Sequence, residues 1–417
     1  MKSILVTNTG DKIHSKALAA RKDIHVTFIT ETRFKDMYDS TSDVIWVDNL
    51  NDPANSTKSV LDQRNCNHYD AVISLSERAA PTAAYLRDYL GLQGASFYTI
   101  TNCTNKFAMK QRFLNNGIAV SNYSLANNFN DVLFSAKEIG YPIIIKPVIG
   151  AGVDATMVFQ NENDIYSNNA KEYFNRLNSP ITTSEKEFPV IVEKFQNVIN
   201  EYHCDGYVIN GEVVFAQVSQ YLSPVIDYAS NGIYGSFSLH SSEPVSNEIV
   251  AMHKKAVKAV GIENGVTHFE VLHTPNGYIA GEIACRPGGG GIRKMLQFLH
   301  GFDSWDAHLA VSMAESYNWK NTNRTSEKQI LELMLPTKRG KVTTISNAED
   351  FNSIPGLLEV DMKIEPGNVV DGLLDSSAIS GNLFIEYEDQ SEIEGILTEV
   401  EKCFVLEVEP LNIHMKN

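Results

Sequence analysis

Short apolar runs alternate with helical stretches along the first hundred residues. The runs lie at residues 3–7, 26–30, 44–47 and 71–74, and a helix is expected at 15–20. Buried runs of this kind, connected by crossover helices, are typical of a parallel sheet with both faces covered. The pattern therefore predicts an α/β domain over residues 1–100.

The second hundred residues combine helices with strands that turn back on one another. Helices are expected at 101–116, with Thr104 as N-cap and Gly117 as C-terminal cap, and at 131–139 and 162–176. Strands are expected at 142–147, 156–159 and 189–195. We assign these elements to a central lobe over residues 101–200.

Beyond residue 200 the pattern changes to antiparallel strands. Two hairpins are expected, one over 202–221 around the turn Asn210-Gly211 and one over 267–283, with a helix at 247–260 between them. Short β runs and a helix at 392–402 follow. We predict a C-terminal α+β lobe over residues 201–417, with an accessory subdomain from about residue 326.

Composition and charge exclude several classes of protein. Apolar residues make up 43% of the 417 residues and charged residues 21%, as in ordinary globular proteins. The net charge of -16 opposes a nucleic-acid partner, because that affinity comes from Lys and Arg on phosphates. No apolar stretch is long enough to span a bilayer, and the N-terminal run is too short for a signal peptide. We expect a cytoplasmic protein without a nucleic-acid or membrane partner.

Cysteine spacing argues against disulfides and against a zinc cage. The five cysteines are odd in number and widely spaced, and none belongs to a Cys-x-x-Cys pair. We expect free thiols at Cys66, Cys103, Cys204, Cys285 and Cys403.

A lysine strand followed by a glycine-rich turn indicates phosphate binding. Lys146 follows three isoleucines, so it either meets an anion or points to solvent as an edge residue. Residues 150–155 formally fit a dinucleotide fingerprint, but the β-like run at 156–159 follows where that motif requires a helix. Two strands around a glycine turn instead predict a hairpin flap whose backbone N–H groups close over phosphates.

The hairpin over 267–283 carries two carboxylates on facing strands. Glu270 and Glu282 would repel each other there unless a cation lies between them, and carboxylate oxygens suit magnesium. Arg286 follows four residues after Glu282 and supplies a permanent positive charge for a transferring phosphoryl group. A surface ion pair is the alternative interpretation.

Glycines 288–291 and several single residues are further candidates. The glycine run allows the backbone to approach a ligand closely, and the alternative interpretation is a flexible loop without a ligand. The other candidates have equally ordinary alternatives: a tight turn for Gly10, a helix-start carboxylate for Glu77, surface acids for Glu193 and Glu201, a satisfied core residue for His268 and a solvated loop residue for His240.

Taken together and in this order, these segments resemble the ATP-grasp superfamily and, within it, the carboxylate–amine ligases similar to L-amino-acid (dipeptide) ligases. The resemblance implies a three-lobed ATP-grasp fold of α/β and α+β type with an N-terminal Rossmann-like parallel sheet. It also implies amino-acid substrates and a homodimer.

The resemblance further implies a role for each candidate residue. ATP would be held by Lys106, Lys146, the flap residues Gly150, Gly152 and Val153, the adenine-pocket residues Glu193, Lys194 and Phe195, and the ribose acid Glu201. Mg²⁺, with Mn²⁺ as a substitute, would be held by Glu270 and Glu282, while Arg286 stabilises the acyl phosphate. Substrate would contact Glu77, His240, His268, Gly288, Gly289 and Gly290.

One position departs from the usual ATP-grasp pattern. Many of these enzymes carry Asn two residues after the second metal acid, whereas this chain has Ala284. A small residue at this position resembles the amino-acid ligase branch. The expected activity is dipeptide formation, with an arginine-selective ligase as a close match. Another ATP-grasp ligase of purine-pathway or carboxylase type, or a nucleotide-binding scaffold without turnover, are the alternatives.

Overall fold

Four parallel strands form the N-terminal sheet of the computed structural model, which describes residues 1–63, 68–150, 156–177, 189–227, 232–319, 328–371 and 378–411. Its strand order is β3-β2-β1-β4, and all three pairings are parallel, which confirms the expected sheet. Its elements are β1 (Lys2–Thr7), α1 (Lys12–Ala19), β2 (Ile24–Glu31), β3 (Asp43–Val47), α2 (Pro53–Gln63), β4 (Ala71–Ser74) and α3 (Ala80–Tyr89).

The central segment forms an antiparallel sheet in the order β5-β8-β6-β7. Its elements are α4 (Phe97–Thr104), α5 (Lys106–Asn115), β5 (Tyr123–Ala126), α6 (Phe129–Ile139), β6 (Ile143–Pro147), β7 (Met157–Phe159), α7 (Glu162–Ile165), α8 (Asn168–Leu177) and β8 (Val190–Lys194). Two expected helices, at 101–116 and 162–176, are each divided into two.

The helix division at Asn105 corrects the predicted N-cap. Asn105 has an extended backbone, and its side chain accepts a hydrogen bond from the Ala108 N–H at 2.9 Å. It therefore begins α5, because an N-cap oxygen satisfies one of the free N–H groups of the first turn. Thr104 instead ends α4 and donates its hydroxyl proton to the Ile100 carbonyl.

Eight strands from the remainder of the chain form the largest sheet, in the order β13-β12-β9-β10-β11-β14-β18-β16. The sequence of elements is β9 (Asn200–Ile209), β10 (Glu212–Tyr221), β11 (Tyr234–Ser238), α9 (Pro244–Val260), β12 (Gly265–Thr274), β13 (Gly277–Ala284), α10 (Ile292–His300), α11 (Ser304–Ser312), β14 (Gln329–Pro336), β15 (Gly340–Ile345), β16 (Leu357–Met362), β17 (Val369–Val370), β18 (Ile379–Tyr387), α12 (Ile393–Cys403) and β19 (Leu406–Glu409). The first hairpin turns at Asn210 and Gly211, whose φ angles of 52° and 75° are those of a primed turn.

The segment after residue 328 contributes directly to this sheet. Strands β14, β18 and β16 extend it, while β17, β15 and β19 form a separate small sheet. The tail that we expected to be accessory therefore supplies part of the surface on which the candidate site lies.

The N-terminal sheet is completed by a helix from much later in the chain. One face packs against Val60, Ala83 and Leu86 of α2 and α3. The other face packs against Leu18 of α1 and against the α11 side chains Trp305 and Leu309. This packing fixes the N-terminal sheet beside the large sheet. In the described ranges, no helix combines the length and hydropathy that crossing a membrane requires.

One face of the large sheet is polar. Directly paired residues in a sheet project to the same face, and residues two apart on a strand share it. Glu270 of β12 pairs with His203 of β9, which pairs with Ser219 of β10. Two residues further along β10, Tyr221 pairs with Ser236 of β11, which pairs with Glu332 of β14. The polar face therefore extends from β12 to β14.

Candidate active site

A cavity of about 1190 Å³ lies between the central sheet and the polar face of the large sheet. The structure brings most of the predicted site residues to its wall. These are Glu77, Lys106, Lys146, Gly150, Glu193, Lys194, Phe195, Glu201, His268, Glu270, Glu282, Arg286, Gly289 and Gly290. Gly152 and Val153 lie outside the described residues, as does Cys66.

Glu270 and Glu282 lie on paired strands, as the hairpin predicts. Phe269 pairs with Ile283 but Val271 pairs with Ala280, so a β-bulge places Glu270 opposite both Gly281 and Glu282. Bulges re-aim side chains and are common beside active sites. A Cβ on Gly281 would lie 3.2 Å from the Glu270 carbonyl oxygen, so glycine permits this close approach.

Lys106 links the candidate nucleotide lobe to the carboxylate hairpin. Its Nζ lies 2.9 Å from Glu282 Oε2 and donates a hydrogen bond of 2.5 Å to the Gly150 carbonyl. Burial alone would lower the pKa of Lys106, but Glu282 and the other nearby carboxylates raise it. Lys106 is thus a charged amine at the base of the glycine turn, where phosphates would be held.

Glu193 is paired with two lysines in the central lobe. Its carboxylate lies 3.2 Å from Lys110 Nζ and 3.9 Å from Lys146 Nζ. Burial alone would raise the pKa of Glu193, but the two lysines lower it below its ordinary value. Sequence reasoning missed Lys110, although it lies four residues after Lys106 and so on the same face of α5.

The backbone N–H groups of Lys194 and Phe195 are already used within the protein. Lys194 donates to Asn122 at 2.8 Å and Phe195 donates to Pro142 at 3.0 Å. The Lys194 side chain donates to the carbonyls of Gly140 and Tyr141. The carbonyls of Asn122 and Pro142 therefore take these two N–H groups, and the adenine-pocket role of Lys194 and Phe195 stays a prediction.

Glu201 is buried at the start of β9 and forms no ion pair with any of the described residues. Its Oε2 accepts the Val225 N–H at 2.8 Å. Burial, reinforced by Glu270, raises the pKa of Glu201 to about 8. A carboxyl of this kind can accept from or donate to a sugar hydroxyl.

Arg286 meets a carboxylate from the opposite end of the chain. Its Nε lies 2.8 Å from Glu77 Oε2, its Nη2 contacts the same oxygen, and its Nη1 donates to the Pro287 carbonyl. Burial alone would lower the pKa of Arg286, but Glu77 raises it. Glu77 thus holds the arginine at the cavity wall, an arrangement that neither interpretation of Glu77 from sequence included.

A buried network lies beneath Glu270. Asp205 accepts from His203 Nδ1 at 2.6 Å and from His268 Nδ1 at 2.9 Å, and His268 Nε2 lies 3.5 Å from Glu270 Oε1. Despite its burial, His268 has a pKa raised to about 10 by Asp205 and Glu270. His268 is therefore both a satisfied buried residue and a residue of the cavity wall. Sequence reasoning missed Asp205, although it alternates with Glu201 and His203 along β9.

Two family descriptions match the chain at these segments. Residues 139–294 match an ATP-grasp domain, and residues 333–409 match the L-amino acid ligase C-terminal domain 2. Residues 139–294 of this chain are therefore an ATP-grasp domain. It is 29% identical over 399 residues to the L-arginine-specific L-amino acid ligase of Bacillus subtilis, which covers 94% of this chain and 93% of that protein.

Solved structures share the fold of this chain. The L-amino acid ligase from Bacillus licheniformis superposes with a TM-score of 0.73 at 18% identity, covering 98% of this chain and 99% of that one. The biotin carboxylase domain of the Hydrogenobacter thermophilus 2-oxoglutarate carboxylase has a TM-score of 0.66 at 16% identity, covering 97% and 90%. Its structure contains magnesium ADP and bicarbonate.

The carboxylates of the ATP-grasp domain suit a magnesium ion. Mg²⁺ keeps several waters and binds through one or two carboxylates plus substrate phosphates, so Glu270 and Glu282 at the bulge are a sufficient protein donor set. Among the described residues, His203, Asp205 and His268 also have ligand atoms within 4.8 Å of one another. The hydrogen bonds that both histidines donate to Asp205 account for that cluster.

Two of the residues expected to contact substrate lie outside the cavity wall. His240 is exposed on the loop before α9, where its Nδ1 lies 2.6 Å from the Ser242 hydroxyl, so its predicted substrate role is not supported. Gly288 packs on the buried network instead: a Cβ there would lie 2.8 Å from Asp205 Oδ1 and 2.9 Å from His268 Nδ1.

Proposed function

We propose that this ATP-grasp protein is an ATP-dependent L-amino-acid ligase that forms a dipeptide through an acyl phosphate. The observation that carries the proposal is the meeting of Lys106, Glu270, Glu282 and Arg286 at one cavity. A scaffold that only binds nucleotide would need neither a pair of carboxylates nor an arginine at the end of the nucleotide site. The similarity to an L-arginine-specific ligase along nearly the whole chain supports the same activity.

The first step is transfer of the γ-phosphoryl group of ATP to an amino-acid carboxylate, giving ADP and an acyl phosphate. Lys106 and Lys146 hold the phosphates, with Gly150 at the turn above them. Glu270 and Glu282 hold Mg²⁺, which neutralises phosphate charge when bound. Glu201 accepts from the ribose, and Glu193 with its two lysines forms the wall beside it.

The second step is attack of a neutral amine on the acyl phosphate. The nitrogen bonds to the carbonyl carbon, the bond from that carbon to the phosphate oxygen breaks, and the amine loses a proton. Arg286 stabilises the negative charge that develops on oxygen, exchanging the Glu77 carboxylate for a substrate oxygen. Holding both reactants in one cavity supplies much of the rate.

Amino-acid-dependent phosphate release tests the proposed function. Purified protein with ATP and Mg²⁺ is supplied with single amino acids and with pairs of amino acids. Released phosphate is measured, and the product is identified by mass spectrometry. We expect ADP, phosphate and a dipeptide, with arginine as the N-terminal residue. Phosphate release with none of the twenty amino acids would reject the ligase, and release with bicarbonate or a purine precursor would favour the other ATP-grasp reactions.

Metal dependence is tested in the same assay. Chelation is expected to abolish phosphate release, Mg²⁺ to restore it and Mn²⁺ to substitute. Glu282→Gln is expected to lose turnover while nucleotide binding survives weakly, because one of two metal carboxylates is gone. Full activity in that variant would remove Glu282 from the metal site. The homodimer, the cytoplasmic location and the lobe boundaries at residues 100 and 200 stay predictions.

A further inference from the structure

Glu332 is a buried carboxylate at the far side of the cavity from the metal acids. It lies on β14, is 2% exposed and lines the cavity wall. The strand order β12-β9-β10-β11-β14 separates it from Glu270 by four strand spacings, or about 19 Å at ~4.8 Å each. It is therefore too distant to bind the same metal ion.

The neighbours of Glu332 are polar but uncharged. Its Oε1 accepts the Gly291 N–H and the Asn382 side-chain amide, both at 2.9 Å. Two other acids of the cavity wall have a lysine beside them, Lys110 for Glu193 and Lys106 for Glu282, whereas Glu201 shares with Glu332 the lack of an ion pair within the described residues. No Lys, Arg or His among the described residues pairs with Glu332, and burial raises its pKa to about 7. A carboxylate of this kind is either neutral or paired with a cation from outside the protein, and its place in the cavity wall leaves room for the second case.

The glycine run connects this carboxylate to Arg286. A Cβ on Gly290 would lie 3.6 Å from Glu332 Oε1 and 3.1 Å from Met334 Sδ, and one on Gly291 would lie 2.6 Å from Glu332 Oε1. Gly290 lies four positions after Arg286, so their Cα atoms are at most about 14 Å apart. The absence of side chains at both glycines keeps open the space between Glu332 and the arginine.

We propose that Glu332 recognises a guanidinium or ammonium group at the end of the side chain of the amino acid whose carboxylate is activated. The substrate carboxylate lies toward Arg286, its side chain extends along the glycine run, and its terminal cation pairs with Glu332. This inference rests on the proposed ligase function. It assigns selectivity to a residue on β14, outside both the hairpin and the nucleotide lobe.

Paired substrates separate charge recognition from size. Arginine is compared with citrulline, which is nearly isosteric and neutral, and lysine with norleucine, in wild type and in Glu332→Gln. We expect kcat/KM for the cationic substrate to fall about ten- to hundredfold in the variant, while the neutral partner changes less than about threefold. Glu332→Asp, which keeps the charge, is expected to retain the preference. The surface variant Glu212→Gln is the matched control, because Glu212 is exposed and pairs with Lys258 on the surface.

Each outcome decides the assignment. Equal losses for cationic and neutral substrates would reduce Glu332 to a structural residue, and an unchanged arginine-to-citrulline ratio would overturn the proposal. If the wild-type protein uses citrulline as well as arginine, the proposal is overturned without any variant. This comparison therefore remains decisive even if Glu332→Gln misfolds. If no amino acid elicits phosphate release, the proposed function fails separately, and calorimetric binding of arginine and of citrulline to wild type and to Glu332→Gln still decides whether Glu332 selects the cation.

Discussion

Arg286 Nε lies 2.8 Å from Glu77 Oε2, so a residue of the N-terminal segment holds the arginine that follows the metal hairpin. The two residues are 209 positions apart, and both line the cavity. Because α11 packs its apolar side chains on the N-terminal sheet, that sheet is fixed at the distance the ion pair requires. The N-terminal segment thus contributes a side chain to the proposed active site.

Removing the Glu77 charge is expected to slow catalysis without weakening nucleotide binding. In Glu77→Gln the guanidinium loses its fixed partner, and we expect kcat to fall about tenfold. Arg286→Lys should lose about a hundredfold, because one ammonium cannot reproduce the planar fork. Phosphate release at saturating ATP measures both. Arg21→Lys, in an exposed pair with Asp23, is the control, and an active Arg286→Lys variant would contradict the role of the arginine.

The buried pair of Lys110 and Glu193 is expected to contribute to stability. Lys110→Met leaves Glu193 buried with only Lys146 near it, at 3.9 Å, and should cost about 3–5 kcal/mol of unfolding free energy. Urea denaturation measures the loss. Lys137→Met removes an exposed partner of Glu162 and should cost less than about 1 kcal/mol.

A double variant tests the cause of that loss. Lys110→Met with Glu193→Gln removes the uncompensated charge and should recover part of the stability. If the double variant is no more stable than Lys110→Met, the lost packing of the lysine chain rather than the stranded carboxylate explains the effect.

Local patterns predicted the elements that depend on neighbouring residues. The Val and Ile runs gave the parallel strands, and Asn210-Gly211 gave the first hairpin, because its turn needs two residues with positive φ. The facing positions of Glu270 and Glu282 followed from the second hairpin alone. The bulge between them did not, because strand periodicity contains no signal for one unpaired residue.

Long-range relationships were not predictable from the same patterns. Nothing local places Glu77 beside Arg286, or joins β14 to β11 after 90 residues of other structure. Asp205 and Lys110 were missed for a different reason. Both carry a local signal, a two-residue alternation on β9 and a four-residue spacing on α5, but each resembles an ordinary surface residue until its burial is known.

Neighbouring glycines after Arg286 are expected to respond differently to alanine. At Gly288 a Cβ would meet Asp205 Oδ1 and His268 Nδ1 within 2.9 Å, whereas at Gly289 nothing lies within 4 Å. Gly288→Ala should therefore cost about 1–3 kcal/mol of stability, and Gly289→Ala should leave it unchanged. Urea denaturation of the two variants side by side is the measurement. Equal free energies of unfolding would show that Asp205 and His268 accommodate the added methyl group without loss of stability.

Glu332 should make the stability of the protein depend on pH. A carboxyl whose folded pKa is raised contributes stability that is fully present below its ordinary pKa and is lost as pH rises through the folded value, here about 7. The groups that bond to it, the backbone N–H groups of Gly291 and Ser236 and the Asn382 amide, are uncharged and do not titrate in this range. Wild type should therefore lose stability between about pH 4.5 and pH 7 relative to a variant that cannot ionise.

Glu332→Gln provides that comparison, because its amide oxygen can still accept both hydrogen bonds. It should match wild type at pH 4 and exceed it at pH 8 by up to about 3 kcal/mol, with Glu212→Gln unchanged at both. Arginine should narrow the difference at pH 8 if it pairs with the ionised carboxylate, because a ligand that binds only the native state stabilises it. A variant less stable than wild type at both pH values would instead show that the carboxylate is held by its hydrogen bonds and needs no cation. A more stable but less selective variant would show that the buried charge is kept for recognition at the expense of stability.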